Sequence, residues 1–310
     1  MTHALANSGK RVILLTGVGG QVGFELARSL QGLGTVIAVD RARIDLSDLD
    51  QVRRVVREVR PQLIVNPAAY TSVDAAESDV DTAMRVNAQA PGVLAEEAAR
   101  LGAKLVHFST DYVFDGTKSA AYVEDDAPNP LNVYGRSKLA GEKAIAAAAN
   151  GYLIFRTSWV YGLLGKNFLL TMLRLGAERD ELRVVDDQFG SPTWSATISA
   201  MSVHVLAQAI AAGTAGDKGW DMWWERHQGI YNLTAAGVTS WHGFAEAIFE
   251  MSGREKRPVV VRTSARDYPT PAARPGSSRL AGEKLAAVFG LSAPSWRDAL
   301  HQCLNERRAR

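Results

Sequence analysis

Residues 16–23 read Thr16-Gly17-Val18-Gly19-Gly20-Gln21-Val22-Gly23, directly after an apolar run at 12–15 and into the helical spacing Val22, Leu26, Leu30. Gly17 permits a tight turn. Gly20 lets the backbone approach a pyrophosphate, and Gly23 lets the next helix pack close to the sheet. The helix N-terminus then offers unpaired N–H groups and the positive end of its dipole. Three glycines alone fit any strand-to-helix turn. A strand before them, a helix after them and Asp40 at the end of the next strand point to a dinucleotide site.

Apolar runs at 36–39, 63–65, 104–108 and 152–155 predict further strands, and helical patterns fall at 49–59, 83–99 and 134–149. Continuous apolar strands separated by helices imply a parallel sheet covered on both faces. The fold class expected is therefore α/β: a Rossmann-type doubly wound parallel sheet with a smaller C-terminal substrate-binding lobe. Residues 10–160 are expected to form the dinucleotide-binding domain, with returns from about 182–200 and 229–240, and residues 161–310 mainly the lobe. In the second half, 182–185 and 258–261 predict strands, 241–252 a helix, and the Trp-rich stretch 213–228 a loop that covers the site or packs an exposed edge.

The chain has 310 residues, 46% hydrophobic and 22% charged, with net charge +2, which excludes a disordered or fibrous chain. Nothing in this balance argues for nucleic acid or a membrane surface as partner. Residues 1–9 lack the basic start of a signal peptide, and no stretch reaches the ~18 apolar residues of a membrane span. The lone Cys303 rules out an intrachain disulfide and fits a reducing cytoplasm. His3, His107, His204, His227, His242 and His301 show no zinc-ligand spacing and read as structural or exposed, so no metal site is assigned.

Asp40 suits ribose hydroxyls and NAD, whereas Arg41 and Arg43 suit a 2′-phosphate, so the choice between NADPH and NADH stays open. Asp45 and Leu46 lie where an adenine edge is met. Tyr134 and Lys138 are four apart and share one helix face. A nearby ammonium stabilises a phenolate, making the pair a general acid for a carbonyl oxygen that receives hydride. Thr110, Gly17, Asp40, Ala69 and Trp159 all fall at or just beyond strand carboxyl ends, the edge where this architecture binds ligands.

These residues resemble the extended short-chain dehydrogenase/reductases, and within them the branch that reduces dTDP-4-dehydrorhamnose. The resemblance rests on T-G-x-x-G-Q-V-G at 16–23, V-N-P-A-A-Y-T-S-V-D-A-A-E at 65–77, S-T-D-Y-V-F-D-G at 109–116 and P-L-N-V-Y-G-R-S-K-L-A-G-E at 130–142. It continues through F-R-T-S-W-V-Y-G at 155–162, D-Q-F-G-S-P-T at 187–193 and Y-P-T-P-A-A-R-P-G-S-S-R-L at 268–280. It implies reduction of the C4 ketone of dTDP-4-dehydro-β-L-rhamnose to dTDP-L-rhamnose. By position, Tyr134 is the proton donor, Lys138 holds the nicotinamide ribose and lowers the tyrosine pKa, and Thr110 bonds the ketone oxygen. Gly17, Gly20, Gln21, Val22, Asp40, Asp45, Leu46, Ala69, Tyr70, Thr71 and Phe108 line the cofactor. Asp111, Trp159 and Arg274 face the dTDP-sugar, Trp159 by stacking on the deoxysugar and Arg274 as the candidate for its diphosphate.

Some members of the branch bridge a homodimer with Mg2+ through three acids. Glu25 and Glu306 match two of these, but the third position is Ala196, so a bridging Mg2+ stays undecided and the homodimer open. A dehydratase or epimerase of the same fold is a second reading, though dehydration needs an acid where Tyr112 stands. A third is a non-catalytic regulatory subunit resembling that of methionine adenosyltransferase, against which the joint presence of Thr110, Tyr134 and Lys138 argues.

Overall fold

The computed structural model describes residues 11–213 and 217–309; the readings made for 1–9, His3 and 214–216 lie outside them. The strands are β1 (Val12–Leu15), β2 (Thr35–Ala38), β3 (Leu63–Asn66), β4 (Lys104–Thr110), β5 (Tyr152–Thr157), β6 (Val160–Tyr161), β7 (Glu181–Val185), β8 (Phe189–Gly190), β9 (Thr193–Trp194), β10 (Gly229–Asn232), β11 (Thr239–Ser240) and β12 (Val259–Thr263). The α-helices are α1 (Gln21–Ser29), α2 (Leu49–Val59), α3 (Val73–Ala76), α4 (Val80–Met84), α5 (Ala90–Leu101), α6 (Val133–Ala148), α7 (Phe168–Glu178), α8 (Ser195–Ala211), α9 (Lys218–His227), α10 (Trp241–Met251), α11 (Glu283–Phe289) and α12 (Trp296–Ala309).

The main sheet is six-stranded and parallel, in the order β2-β1-β3-β4-β5-β10. Side chains alternate across a strand, and both alternating sets are apolar here. Ile13, Leu15, Leu63, Val65, Val106, Phe108, Leu153 and Phe155 pack under α1, α8, α9 and α11. Leu14, Ile64, Leu105 and Ile154 pack under α2, α5 and α6 on the other face. This two-sided burial explains why the strands read as unbroken apolar runs. The connections from β1 and β3 diverge, so the carboxyl ends of these strands form the crevice in which such sheets bind ligands. A third core joins α7, β7, α10 and α12 through Leu169, Leu173, Leu182, Phe244, Ile248, Leu300 and Cys303. There β7 pairs with β12 in a separate two-stranded parallel sheet, and β12 runs Val259–Thr263, not 258–261.

Two other expectations are corrected. The stretch expected as one helix over 83–99 is α4, a π turn at Arg85–Gln89, and α5. The stretch read as a loop over 213–228 contains helix α9. Its glycines and charges suggested a loop, but Trp220 and Trp224, one turn apart, bury completely against α8 and the sheet, and that burial decides the local structure. Arg11, just before β1, lies 4.2 Å over the Trp220 ring. Lys104 at the start of β4 pairs with Asp221 at 2.9 Å, and Gly151 just before β5 abuts Trp224. All three contacts lie at the amino ends of strands. Helix α9 therefore closes the edge of the sheet opposite the candidate site and does not cover it.

Candidate active site

Strand β4 ends at Thr110, paired with Thr157 of β5. The chain then makes a 3-10 turn, Asp111–Val113, in which Thr110 Oγ1 accepts the Tyr112 N–H at 3.2 Å and donates to Asp111 Oδ1 at 3.0 Å. Helix α6 is laid onto this turn. Its cap, Asn132, accepts the Gly135 N–H at 2.8 Å, and Glu77 accepts the Val133 N–H at 2.7 Å. A Cβ at Gly135 would overlap the Tyr112 carbonyl oxygen, so glycine is what lets α6 come close enough to set Tyr134 beside Thr110. Gly135→Ala is expected to destabilise the fold by about 1–3 kcal/mol, read as a lower denaturation midpoint, because the backbone must shift. An alanine variant as stable as the parent would mean the approach is not tight.

Burial shapes the electrostatics here. It pushes the Tyr134 phenol up to about 12; hydrogen bonding with Thr110 acts downward, while the Asp111 charge adds to the rise. Lys138 is fully buried and lowered to about 8 by the same desolvation. The expected lysine effect on the tyrosine is not what the structure displays: Lys138 Nζ donates to the Phe108 carbonyl at 2.6 Å and meets His107 Nε2 at 3.1 Å. Burial raises the Asp111 carboxyl to about 7 and pushes Tyr112 above its ordinary range. While hydrogen bonding with Ser278 and Thr110 acts downward on the Asp111 carboxyl, Ser109 Oγ and Thr157 Oγ1 are buried without a hydrogen-bond partner among the described residues. These are polar atoms that a ligand can satisfy.

Asp111 gives a stability test. The folded chain keeps this proton up to about pH 7, whereas an unfolded chain releases it near pH 4. Over that window the folded state binds more protons, so Asp111 makes stability fall as pH rises. Asp111→Asn is therefore expected to raise Tm, and by more at pH 8 than at pH 5. An Asn variant whose advantage shrinks at high pH would contradict a buried, proton-holding carboxyl.

The glycine turn fits a dinucleotide. Gly17 has φ +62° and lies against Ala68 at the end of β3, and a Cβ at Gly23 would overlap Gly17's carbonyl. Helix α1 has Gly20 as its N-cap and so no side-chain cap, leaving its first N–H groups for a diphosphate. Gln21 Oε1 accepts a 2.9 Å bond from Asn167, which ties the 162–167 loop to the turn. Asp40 Oδ1 holds its own turn through the N–H groups of Ala42 and Arg43 at 3.0 and 3.1 Å. Arg41 pairs with Asp45 and Arg43 with Glu58, at 3.2 and 2.6 Å. Exposed pairs of this kind are worth only ~0–1 kcal/mol, so a 2′-phosphate can compete for either guanidinium. Leu46 is buried beyond them.

Two expected substrate contacts are engaged within the protein. Both Nη atoms of Arg274 bind Asp74, at 3.0 and 2.7 Å, and Nη1 also donates to the Ala272 carbonyl. Trp159 has φ +46° and stacks on Trp241 with ring centroids 3.5 Å apart, so one ring face is already used. Among the described residues no cluster of three or more His, Cys, Asp or Glu side chains is placed to hold a metal ion.

Residues 11–309 match the family model of the RmlD substrate binding domain. The chain belongs to that family. It is 48% identical over 302 residues to the dTDP-4-dehydrorhamnose reductase of Burkholderia thailandensis, covering 95% of this chain and 98% of that protein. The enzyme of the same name from Escherichia coli K12 is 42% identical over 304 residues, covering 95% and 97%. The crystal structure of the Bacillus anthracis dTDP-4-dehydrorhamnose reductase with NADP superposes with a TM-score of 0.86 at 36% identity, covering 96% of this chain and 99% of that one. The six-stranded parallel sheet is thus that of an RmlD-type, extended short-chain dehydrogenase/reductase fold. No helix among the described residues is long and apolar enough to cross a membrane.

Reading the sequence missed Asn87, which the π turn of this RmlD chain aims at the site. Its amide binds the backbone of Tyr70 on both sides, at 2.8 and 2.9 Å, and Ser137 Oγ at 3.0 Å. It thereby fastens the 69–71 segment to the face of α6 that carries Tyr134 and Lys138. Also missed were Asp74 and Glu77, which connect α3 to the 272–274 loop and to α6. No local pattern signals Glu77, whose partner Val133 lies 56 positions further along the chain.

Proposed function

We propose that this chain is an NAD(P)H-dependent oxidoreductase that reduces the C4 ketone of dTDP-4-dehydro-β-L-rhamnose to the alcohol, giving dTDP-L-rhamnose. The observation carrying the reading is the convergence of Thr110, Asp111, Tyr134 and Lys138 at one strand end, on the same sheet edge as an uncapped glycine turn. A reduced nicotinamide, NADPH or NADH, supplies hydride to the carbonyl carbon when bound. Tyr134 gives its phenolic proton to O4, so ketone, hydride and proton balance to an alcohol. Thr110 hydrogen-bonds the same oxygen. Lys138 binds the nicotinamide ribose and stabilises the phenolate left on Tyr134.

At the cofactor end, Gly17, Gly20, Gln21 and Val22 bracket the diphosphate, and Asp40, Asp45, Leu46, Ala69, Tyr70, Thr71 and Phe108 line the rest. Asp111 meets a sugar hydroxyl as a neutral acid below about pH 7. Arg274 exchanges Asp74 for the substrate diphosphate, and Trp159 meets the deoxysugar. A homodimer and a cytoplasmic location belong to this reading, the latter in keeping with Cys303 being buried and the single cysteine of the sequence. Following NADPH and NADH oxidation at 340 nm, on the order of micromolar enzyme with the 4-keto sugar nucleotide, tests substrate and cofactor together, and turnovers of 1–10³ s⁻¹ are typical of enzymes. Oxidation of neither cofactor would remove the reductase reading.

A further inference from the structure

A row of polar side chains crosses the sheet beneath Lys138. Thr16 follows β1, Asn66 ends β3, and His107 sits in β4 directly opposite Asn66 in the strand register. Thr16 Oγ1 lies 2.6 Å from Asn66 Oδ1, the Asn66 amide 3.1 Å from His107 Nδ1, and His107 Nε2 3.1 Å from Lys138 Nζ. All four side chains are at most 1% exposed. The next strand offers Ile154 opposite His107, so the row ends there and turns up to the lysine.

A polar row buried in an apolar sheet must be fully hydrogen-bonded or it destabilises the core. The chemistry of its members fixes how. An ammonium has three donors and no acceptor. Burial and the neighbouring ammonium keep the His107 imidazole neutral, so it has one lone pair to give. With Lys138 charged, that lone pair must be on Nε2. The ring proton is then on Nδ1, and the Asn66 amide, placed with Nδ2 toward His107 and Oδ1 toward Thr16, must be turned over to give its oxygen to His107 and its nitrogen to Thr16. The opposite amide orientation serves only an uncharged lysine. Phe108's carbonyl takes a second ammonium proton at 2.6 Å, leaving the third for a ligand.

We propose that His107, oriented by Asn66 and Thr16, is a positioning residue for Lys138, fixing two of its three N–H bonds so that the third is aimed at the coenzyme ribose. The proposal rests on the coenzyme-holding role given to Lys138 above. It assigns His107 a part in the reaction that a structural histidine does not have.

The first test needs no substitution and no coenzyme. In protein carrying 15N-labelled histidine, the ring nitrogens of His107 are read by NMR below neutral pH. The Nδ1–H tautomer is expected; the Nε2–H tautomer would overturn the proposal, because it leaves no lone pair for the ammonium. The second test compares His107→Gln with His107→Leu. Glutamine keeps an acceptor and leucine does not. The Leu variant is expected to lose on the order of 10²-fold in kcat, the usual scale of a misplaced catalytic group, with KM for the keto-sugar unchanged. The Gln variant is expected to regain most of that loss. Equal losses in both variants, or none in the Leu variant, would refute it. Since the tautomer is measured without coenzyme or substrate, it stands or falls separately from the reductase reading.

Discussion

Tyr134→Phe is expected to lower turnover of the keto-sugar nucleotide by at least ~10²-fold while coenzyme still binds, the loss typical of a positioned general acid. Phenylalanine keeps the ring that packs edge-on to Tyr112 at 5.9 Å, so the surrounding structure is retained. Only the hydroxyl is lost, and with it the proton for O4. The free phenol is held protonated well past neutrality because burial disfavours its anion. A phenol near 12 is a reluctant acid on its own. The transfer becomes favourable only if charge developing on its oxygen is met by a cation, the part proposed above for Lys138, one turn further along α6. Steady-state rates with NADPH, beside coenzyme affinity from fluorescence quenching, check the two halves separately. Turnover within about threefold of the parent would take the proton-donor role from Tyr134, since that is far below the usual contribution.

The parts of this site that could be read from the sequence are those set by short-range geometry. The glycine spacing at 17, 20 and 23 and the four-residue interval from Tyr134 to Lys138 depend on one turn and one helix, and both appear where expected. The sheet was legible because its two faces are both buried, which leaves Leu63–Asn66 and its neighbours almost without polar breaks. What stayed hidden depends on partners far along the chain. Arg274 is held by Asp74, two hundred positions away, and no local pattern announces that pair. Helix α9 has the composition of a loop, and two tryptophans make it a helix by what they bury against. The π turn inserts one residue's offset without changing the apolar pattern of 83–99, yet it decides where Asn87 points. Lys138 was correctly placed on the face of Tyr134, but its bonds run to β4, which only the folded chain brings beneath it.

The second large effect is on stability. Arg156→Leu is expected to cost about 3–5 kcal/mol, the usual penalty for stranding one member of a buried ion pair. Arg156 of β5 and Glu142 of α6 are each 2% exposed and joined by two bonds, Nε to Oε1 at 2.9 Å and Nη2 to Oε2 at 2.7 Å. The guanidinium also donates to the Glu124 carbonyl at 3.2 Å and lies 5.1 Å over the Phe114 ring. Glu124 in turn accepts the Asn232 N–H at 2.8 Å, so the cluster ties β5 to α6 and to the edge strand β10. Leucine in place of Arg156 leaves the buried Glu142 without its hydrogen-bonded partner, Lys138 on the same helix being the remaining cation that acts with it. Chemical denaturation should show the loss as a lower midpoint with an unchanged slope. The double variant Arg156→Leu/Glu142→Leu removes both charges and is expected to recover most of the stability, because a buried pair repays little more than its own desolvation. If the double variant were as unstable as the single one, a stranded Glu142 would not be the cause, and the energy lost would lie in the contacts that Arg156 itself makes, those to Glu124 and Phe114 among them.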